Sequence, residues 1–193
     1  MIIDLSSYNG QIDFETLRKE PIERVILRST TKNGNLDVRF MENLNGFLTK
    51  TSASIDAYKF AYARKTIPAF LEAAKTFQTL REAGALGFIE TFWLDLEDFD
   101  GRAHTSEEVN EVIFGYYKAA HEYGVNLGLY FNYNYAMHIV DPFWNNLMPL
   151  WIARYNHSLG DTGKWNPVLW QYTSKGEVNG ITGNVDISKE LKE

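Results

Sequence analysis

The sequence of 193 residues contains no cysteine. This absence excludes disulfide frameworks, thiolate catalysis, zinc ribbons and iron–sulfur clusters. No apolar run approaches the ~20 residues that a membrane-spanning helix requires, so we expect no membrane insertion. Basic residues are also in the minority, because 19 Lys and Arg face 25 Asp and Glu, for a net charge of −6. Nucleic-acid binding depends on basic residues that release counterions from phosphates, so we expect no nucleic-acid partner.

The remaining composition is typical of a globular domain, with 45% hydrophobic and 23% charged residues. A chain of this length buries enough surface to fold without disulfides or a structural metal. Aromatic residues are abundant, with 5 Trp, 11 Tyr and 12 Phe. Many of them must lie at the surface, where flat rings suit sugar rings or partner proteins.

Short β-branched and aromatic runs alternate with helical segments along the chain. The predicted strands are 1–7, 24–31, 54–63, 91–98, 126–133, 149–155, 168–173 and 185–188. The predicted helices are about 13–20, 37–50, 68–84, 106–123 and 135–147. Thr105 and Glu108 have the spacing of a capping box, and Asp141 before Pro142 resembles an N-cap followed by proline at the first helical position.

This alternation predicts an α/β fold with a parallel sheet that is covered by helices. Eight strands in ~190 residues favour a closed barrel, although a regular eightfold barrel typically takes ~250 residues. Helices also become rare after residue 147. We therefore predict an irregular TIM-like (β/α) barrel with about eight strands and five helices. No repeat or linker interrupts the chain, so we expect residues 1–193 to form a single domain with no internal boundary.

Four acidic residues are predicted to meet at one end of this barrel. Alternation along 91–98 places apolar side chains on one face and Trp93, Asp95 and Glu97 on the other. If the apolar face packs under the helices, both carboxylates point into the barrel near the carboxyl end of the strand, where barrel enzymes place catalytic groups. Asp4 lies late in the first strand, and Asp186 lies early in the last, which adjoins the first on closure. Converging carboxylates repel one another, which favours a catalytic site, although helix capping by Asp95 or Asp98 and solvation of Glu97 remain an alternative.

Ordered motifs along the whole chain resemble glycoside hydrolase family 25, the Chalaropsis-type lysozymes that include many phage endolysins and bacterial autolysins. The first is the opening Asp4-Leu5-Ser6-Ser7-Tyr8-Asn9-Gly10. The others are Val25-Ile26-Leu27-Arg28-Ser29-Thr30 with Asp37 and Phe40, Ala57-Tyr58-Lys59-Phe60, Trp93-Leu94-Asp95-Leu96-Glu97-Asp98, Gly128-Leu129-Tyr130, Leu150-Trp151-Ile152-Ala153-Arg154-Tyr155, Trp170-Gln171-Tyr172-Thr173-Ser174 and Gly183-Asn184-Val185-Asp186. Single motifs of this kind are weak, but their ordered set is strong.

The resemblance implies an N-acetylmuramidase (lysozyme) that cleaves the β-1,4 bond between N-acetylmuramic acid and N-acetylglucosamine in peptidoglycan. It implies that Glu97 is the general acid and that Asp95 assists at the anomeric centre. Asp4 and Asp186 match the flanking aspartates, and the stereochemistry of cleavage stays open. Residues on strands that line the family's groove are the substrate-binding candidates, with core packing as the competing interpretation for each: Tyr58, Tyr130, Trp151, Gln171 and Tyr172.

The sequence departs from the family's pattern at two places. Thr31-Lys32 stands where members often have Glu-Gly, which predicts a different loop after the second strand. Lys59 stands where many members have His, and we expect it either to face the barrel interior, in parity with Ala57 and Ala61, or to extend to the rim. The four histidines show no metal-ligand spacing, and we interpret each as a surface or loop residue.

Several alternatives remain at this stage. A metal-dependent deacetylase would need an Asp with two His ligands, and a chitinase-type barrel would need further acids upstream of Asp95, which the sequence lacks. An inactive sugar-binding barrel is disfavoured because all four acids are present. We expect no cofactor, no metal and a monomer, with bacterial peptidoglycan as the partner. No signal peptide precedes the first strand, so we expect a protein that is cytoplasmic until lysis if it is an endolysin, or extracellular if it is a trimmed autolysin.

Overall fold

A computed structural model describes residues 1–191 and contains a closed barrel of eight strands in sequence order. The strands are β1 (Ile2–Leu5), β2 (Arg24–Arg28), β3 (Ser54–Phe60), β4 (Phe92–Asp95), β5 (Leu127–Asn132), β6 (Leu150–Ala153), β7 (Leu169–Gly176) and β8 (Val185–Glu190). Strands β1 to β7 pair in parallel, whereas β8 is antiparallel to both of its neighbours. The predicted irregular barrel is confirmed.

Within residues 1–191, five α-helices accompany the barrel, as predicted. They are α1 (Phe14–Leu17), α2 (Phe40–Lys50), α3 (Thr66–Glu82), α4 (Ser106–Tyr123) and α5 (Tyr133–His138). The last is much shorter than the predicted 135–147, because Asp141 caps a separate 3₁₀ helix that starts with Pro142 and spans Pro142–Asn146. Proline lacks the N–H that a continuous helix would need at this point. None of the helices in the described residues combines the length and the apolar character needed to cross a membrane.

The predicted capping signals are present at α4. The Thr105 hydroxyl accepts a hydrogen bond from the Glu108 N–H, and the Glu108 carboxylate accepts one from the Thr105 N–H. At the other end, Gly124 has φ +68°, a left-handed conformation that costs glycine little.

Side-chain parity divides the core into two layers. Inside the barrel, Trp93 packs with a cluster made of Ile2, Ile26, Tyr130, Trp151, Ala153 and Leu169. The alternate residues Phe92, Leu94 and Leu96 lie in the larger layer between the strands and the helices. The predicted orientation of the 91–98 strand is therefore confirmed.

Lys59 does not face the barrel interior, and that prediction was wrong. Its neighbours Asp56 and Tyr58 point inward, so Lys59 and Ala57 point toward the helices. The Lys59 ammonium is fully buried, lies 3.3 Å from the Glu72 carboxylate of α3, and donates to the Thr31 carbonyl at 3.0 Å. Lys59 does share a face with Ala57 and Ala61, but that face packs against the helices. Small apolar residues occur on both faces of a barrel strand, so the two alanines did not identify the inner one.

Asp56 supports the inner layer from below. It is fully buried, and its carboxylate accepts hydrogen bonds from the Trp93 indole N–H at 2.8 Å, the Thr91 N–H at 3.1 Å and the Arg24 guanidinium at 3.0 Å. These bonds hold the Trp93 ring two residues before Asp95, beneath the open end of the barrel.

Candidate active site

The four predicted acids converge at the carboxyl end of the barrel strands. Asp95 ends β4, and Glu97 follows two residues later. Asp4 lies directly opposite Asp186 in the β1–β8 register, and the two carboxyl groups are hydrogen-bonded to each other. Asp4 and Asp95 are both 8% exposed, whereas Glu97 and Asp186 are only partly buried. The more accessible acids therefore lie at the opening, above the buried pair.

Burial raises the pKa of every member of this cluster, and repulsion from a neighbouring carboxylate adds to the shift of Asp4, Asp95 and Glu97. Burial and then the charge of Asp186 raise the pKa of Asp4 well above its ordinary value, although the amide of Gln171 opposes this shift. Burial and then ionised Glu97 do the same to the pKa of Asp95. Burial, Asp186 and Asp98 raise the pKa of Glu97, and burial raises that of Asp186. Such a cluster retains protons at a pH where isolated carboxyl groups have lost them.

One oxygen of Asp95 has no hydrogen-bond partner among the described residues, although it is buried. Leaving a buried acceptor without a partner costs on the order of 1–3 kcal/mol. Groups of this kind in folded proteins call for an explanation, and catalysis is a common one. The Asp95 carboxyl group thus gains no hydrogen bond from the fold at this oxygen.

Gln171 connects three of the groups around the acids. Its amide nitrogen donates to the Asp4 carboxylate at 2.9 Å. Its amide oxygen accepts from the hydroxyls of Tyr130 at 2.9 Å and Tyr155 at 2.8 Å. Gln171 and Tyr130 are buried, so they orient Asp4 from within the barrel. Tyr155 comes from the segment after β6 and is a site residue that the sequence did not reveal as a candidate.

The other substrate-binding candidates have different surroundings. Trp151 is 2% exposed, packs 4.4 Å from Tyr130 between ring centroids and donates its indole N–H to Ser188, so core packing explains it. Tyr58 is half-buried and lines a cavity beside Asp95. Tyr172 has the opposite parity to Gln171 and packs against Trp170 on the outer face of β7. The structure therefore brings Tyr58 to the acids, but it does not bring Tyr172 to them.

The cavity beside Asp95 has a volume of about 360 Å³ and is mostly aromatic and cationic. Its lining includes Asp95 together with Tyr8, Arg28, Lys32, Tyr58, Phe60 and Tyr62. Arg28 ends β2 and forms an ion pair with the buried Asp37. Its guanidinium also lies 4.8 Å from the centre of the Tyr8 ring, which is 89% exposed. Strand parity with Ile26 could have identified Arg28 as an inward residue, whereas nothing in the local pattern identified Tyr8.

A larger cavity of about 710 Å³ lies on the other side of the β7–β8 pair. It is lined by Tyr155, Trp170, Tyr172 and Lys189, among others, and it contains none of the four acids. Its size alone therefore does not make it the reactive site.

The loop after Glu97 is anchored by a buried histidine. Asp98 accepts hydrogen bonds from the Tyr135 hydroxyl and from the His104 N–H at 3.1 Å. The hydrogen bond from the Tyr135 hydroxyl contributes most to lowering the pKa of Asp98. His104 lies in a loop, as predicted, but its side chain is 3% exposed and burial lowers its pKa. Its Nδ1 lies 3.0 Å from the Tyr135 hydroxyl, which completes the network.

Within residues 1–191, no three His, Asp or Glu side chains are arranged to hold a metal ion. The four acids instead lie close enough to raise one another's pKa values, which favours retention of protons at this site. An arrangement of two carboxyl groups at the open end of an aromatic-lined barrel can protonate a leaving oxygen and stabilise positive charge beside it.

The sequence matches the family model "Glycosyl hydrolases family 25" over residues 3–181. No curated protein matches it in a sequence search. Among solved structures, the modular autolysin LytC from Streptococcus pneumoniae, in complex with a synthetic peptidoglycan ligand, is 22% identical with a TM-score of 0.85. That match covers 97% of this chain but only 45% of the autolysin.

Two further structures are similar along nearly their whole length. The bacterial lysozyme from Streptomyces coelicolor is 17% identical with a TM-score of 0.80, covering 98% of this chain and 91% of the lysozyme. The catalytic domain of endolysin ply40 from bacteriophage P40 of Listeria monocytogenes is 23% identical with a TM-score of 0.72, covering 98% and 92%. At these identities the structural likeness establishes the barrel fold.

Proposed function

Because the chain belongs to glycosyl hydrolase family 25, we propose that it is an N-acetylmuramidase that cleaves the β-1,4 bond between N-acetylmuramic acid and N-acetylglucosamine in bacterial peptidoglycan. The observation that carries the proposal is the pair Asp95 and Glu97 at the open end of the barrel, with one oxygen of Asp95 buried and lacking a partner. Residues 1–193 form one catalytic domain in this proposal, and the match over 3–181 supports it.

Glu97 is the general acid in this mechanism. It lies beyond Asp95 toward the opening and is less buried, so a glycosidic oxygen can reach its carboxyl group. Burial, Asp186 and Asp98 raise its pKa, which favours the protonated form that a general acid needs. Proton transfer from Glu97 to the leaving oxygen accompanies cleavage of the bond between that oxygen and the anomeric carbon.

Asp95 acts as the ionised partner. Burial and ionised Glu97 raise the pKa of Asp95 well above its ordinary value, so protonation of Glu97 removes one of the two causes of that shift. The proposed reactive pair is neutral Glu97 beside an Asp95 carboxylate. The carboxylate stabilises the positive charge that develops at the anomeric carbon.

Asp4 and Asp186 hold the other side of the opening. Asp4 accepts a hydrogen bond from Gln171, which orients its carboxyl group beside Asp186. Charge on Asp186 helps to keep Glu97 protonated. Tyr58, Tyr130 and Gln171 complete the proposed binding groove for a monomer acting on the cell wall, without nucleic acid.

The alternative is an inactive sugar-binding barrel, and a paired assay separates the two. We expect the protein to clear a suspension of purified cell walls and the Glu97→Gln variant to bind the walls in a pelleting assay without clearing them. Gln preserves the size and polarity of the side chain but cannot donate the acidic proton. Equal binding without clearing by both proteins would support the inactive barrel and contradict the proposal.

A further inference from the structure

Two cationic side chains line the cavity beside Asp95, but only one of them lacks a carboxylate partner. Arg28 donates from Nε to the Asp37 carboxylate at 2.6 Å and from Nη2 to the Ser7 hydroxyl at 2.7 Å. Its charge is therefore compensated within the protein. Lys32 is exposed, and the described part of the chain gives it no salt bridge.

Tyr62 holds the Lys32 ammonium at the rim of this cavity. The Lys32 Nζ lies 5.1 Å from the centre of the Tyr62 ring, within the range of a cation–π contact. Lys59 also faces this ring, at 5.4 Å, but it is buried and paired with Glu72. The Lys32 ammonium is thus positioned by the fold while its charge remains available to a ligand.

The charge of the surroundings defines what this ammonium can bind. The chain as a whole has a net charge of −6, so an anionic ligand is repelled over most of its surface. The exposed ring of Tyr8 and the rings of Tyr58 and Phe60 provide apolar faces in the same cavity, which suit a sugar.

We propose that Lys32 is a specificity-determining residue that binds a carboxylate carried by the muramyl sugar in the cavity beside Asp95. The inference rests on the proposed muramidase function. Two sources have this chemistry: the lactyl group of muramic acid when its carboxyl group is free, and the peptide attached to that group.

The expected effect is on substrate binding and not on the chemical step. An exposed ion pair at a rim contributes modestly and is screened by salt, so Lys32→Ala should raise KM about three- to tenfold. The kcat should stay constant, because the contact is equally strong in the ground state and in the transition state. Lys32→Glu should raise KM further, whereas Lys32→Arg should restore most of the binding.

The test compares glycan chains with and without their peptides, each with its carboxylates either free or converted to methylamides. Lys118 provides the matched control, because its ammonium also lies over an aromatic ring, at 5.7 Å from Phe114, but on α4. We expect Lys32→Ala to raise KM for the free-carboxylate substrates only. Lys118→Ala should leave KM unchanged for the free and for the amidated substrates. Loss with the peptide-free chains identifies the lactyl carboxylate, and loss confined to the peptide-bearing chains identifies the peptide.

An equal rise in KM on free and amidated substrates would overturn the proposal, and so would no rise beyond that of Lys118→Ala. The wild-type protein is assayed first on all four substrates. If it releases no new reducing ends from any of them, the muramidase proposal fails. If it releases them and Lys32→Ala behaves as wild type, only the carboxylate contact fails.

Discussion

Substitution of Gly128 by alanine tests how the barrel interior supports the acids. Gly128 lies in β5 opposite Trp93, and a methyl group at this position would lie 2.5 Å from both Cε3 and Cζ3 of the indole. Carbon atoms pack best at about 3.5–4.0 Å, so the ring must move by about 1 Å. It has little room to do so, since its N–H donates to Asp56 at 2.8 Å and its centroid lies 5.7 Å from that of the Trp151 ring in an edge-to-face contact.

The magnitude follows from these contacts. Overpacking of a core costs about 1–3 kcal/mol, and losing a hydrogen bond to a charged group costs about 1.5–3 kcal/mol. Because a shift of the ring weakens this hydrogen bond without removing it entirely, we expect Gly128→Ala to lower the free energy of unfolding by about 2–5 kcal/mol. At about 2–4 °C per kcal/mol for a chain of this size, Tm should fall by about 4–20 °C in calorimetry. Because Asp95 follows Trp93 on the same strand, a shift of about 1 Å should also reduce kcat by up to ~10²-fold.

Two further variants make this reasoning refutable. Gly87→Ala is the matched control, because its added methyl group would meet no atom within 4 Å and its φ is not positive. It should change stability by less than about 0.5 kcal/mol. Trp93→Phe removes the fused ring, so the double variant should be more stable than the sum of the single effects predicts, by at least about 1 kcal/mol. Additive effects, or equal losses at both glycines, would refute the steric account.

Three other predictions concern the chemistry. Glu97→Gln should lower kcat by ~10²–10⁴-fold on peptidoglycan, because it removes the proton donor. An aryl glycoside with a good leaving group should restore cleavage by Glu97→Gln, whereas Asp95→Asn should stay slow on the same substrate. Rescue of Asp95→Asn alone would reverse the two roles. Burial, Asp186 and ionised Asp98 raise the pKa of Glu97, so Asp98→Asn should lower that pKa and move the alkaline limb of the pH profile of kcat/KM to lower pH; an unmoved limb would remove Asp98 from this role. Activity should be undiminished in excess chelator, and restoration by added divalent ions would contradict a metal-free mechanism.

The architecture was largely predictable because its signals are local. Each strand is a short apolar run, and period-two alternation in 91–98 correctly placed Asp95 inside the barrel. The helix predicted at 135–147 was too long, because the pattern continues past His138 while Pro142 starts a separate turn. Capping at Thr105 depends on neighbouring residues alone and was predicted correctly.

The surroundings of the site were less predictable because they depend on contacts between distant segments. Lys59 was assigned to the wrong face, since its partner Glu72 is on α3 and a strand pattern contains no information about it. His104 is buried through its contact with Tyr135, which lies 31 residues away in the sequence. Tyr155 and Tyr8 reach the site from segments outside the strands, where no periodicity indicates the direction of a side chain.

The central claim is that the chain cuts after N-acetylmuramic acid, and the new reducing end tests it most directly. Purified peptidoglycan is digested with the wild-type protein and with Glu97→Gln, reduced with borohydride, hydrolysed in acid and analysed for sugar alcohols. The mechanism predicts muramitol from the wild-type digest and no increase over the undigested wall from the variant. Glucosaminitol in its place would contradict the muramidase assignment, and equal muramitol from both proteins would contradict the role of Glu97.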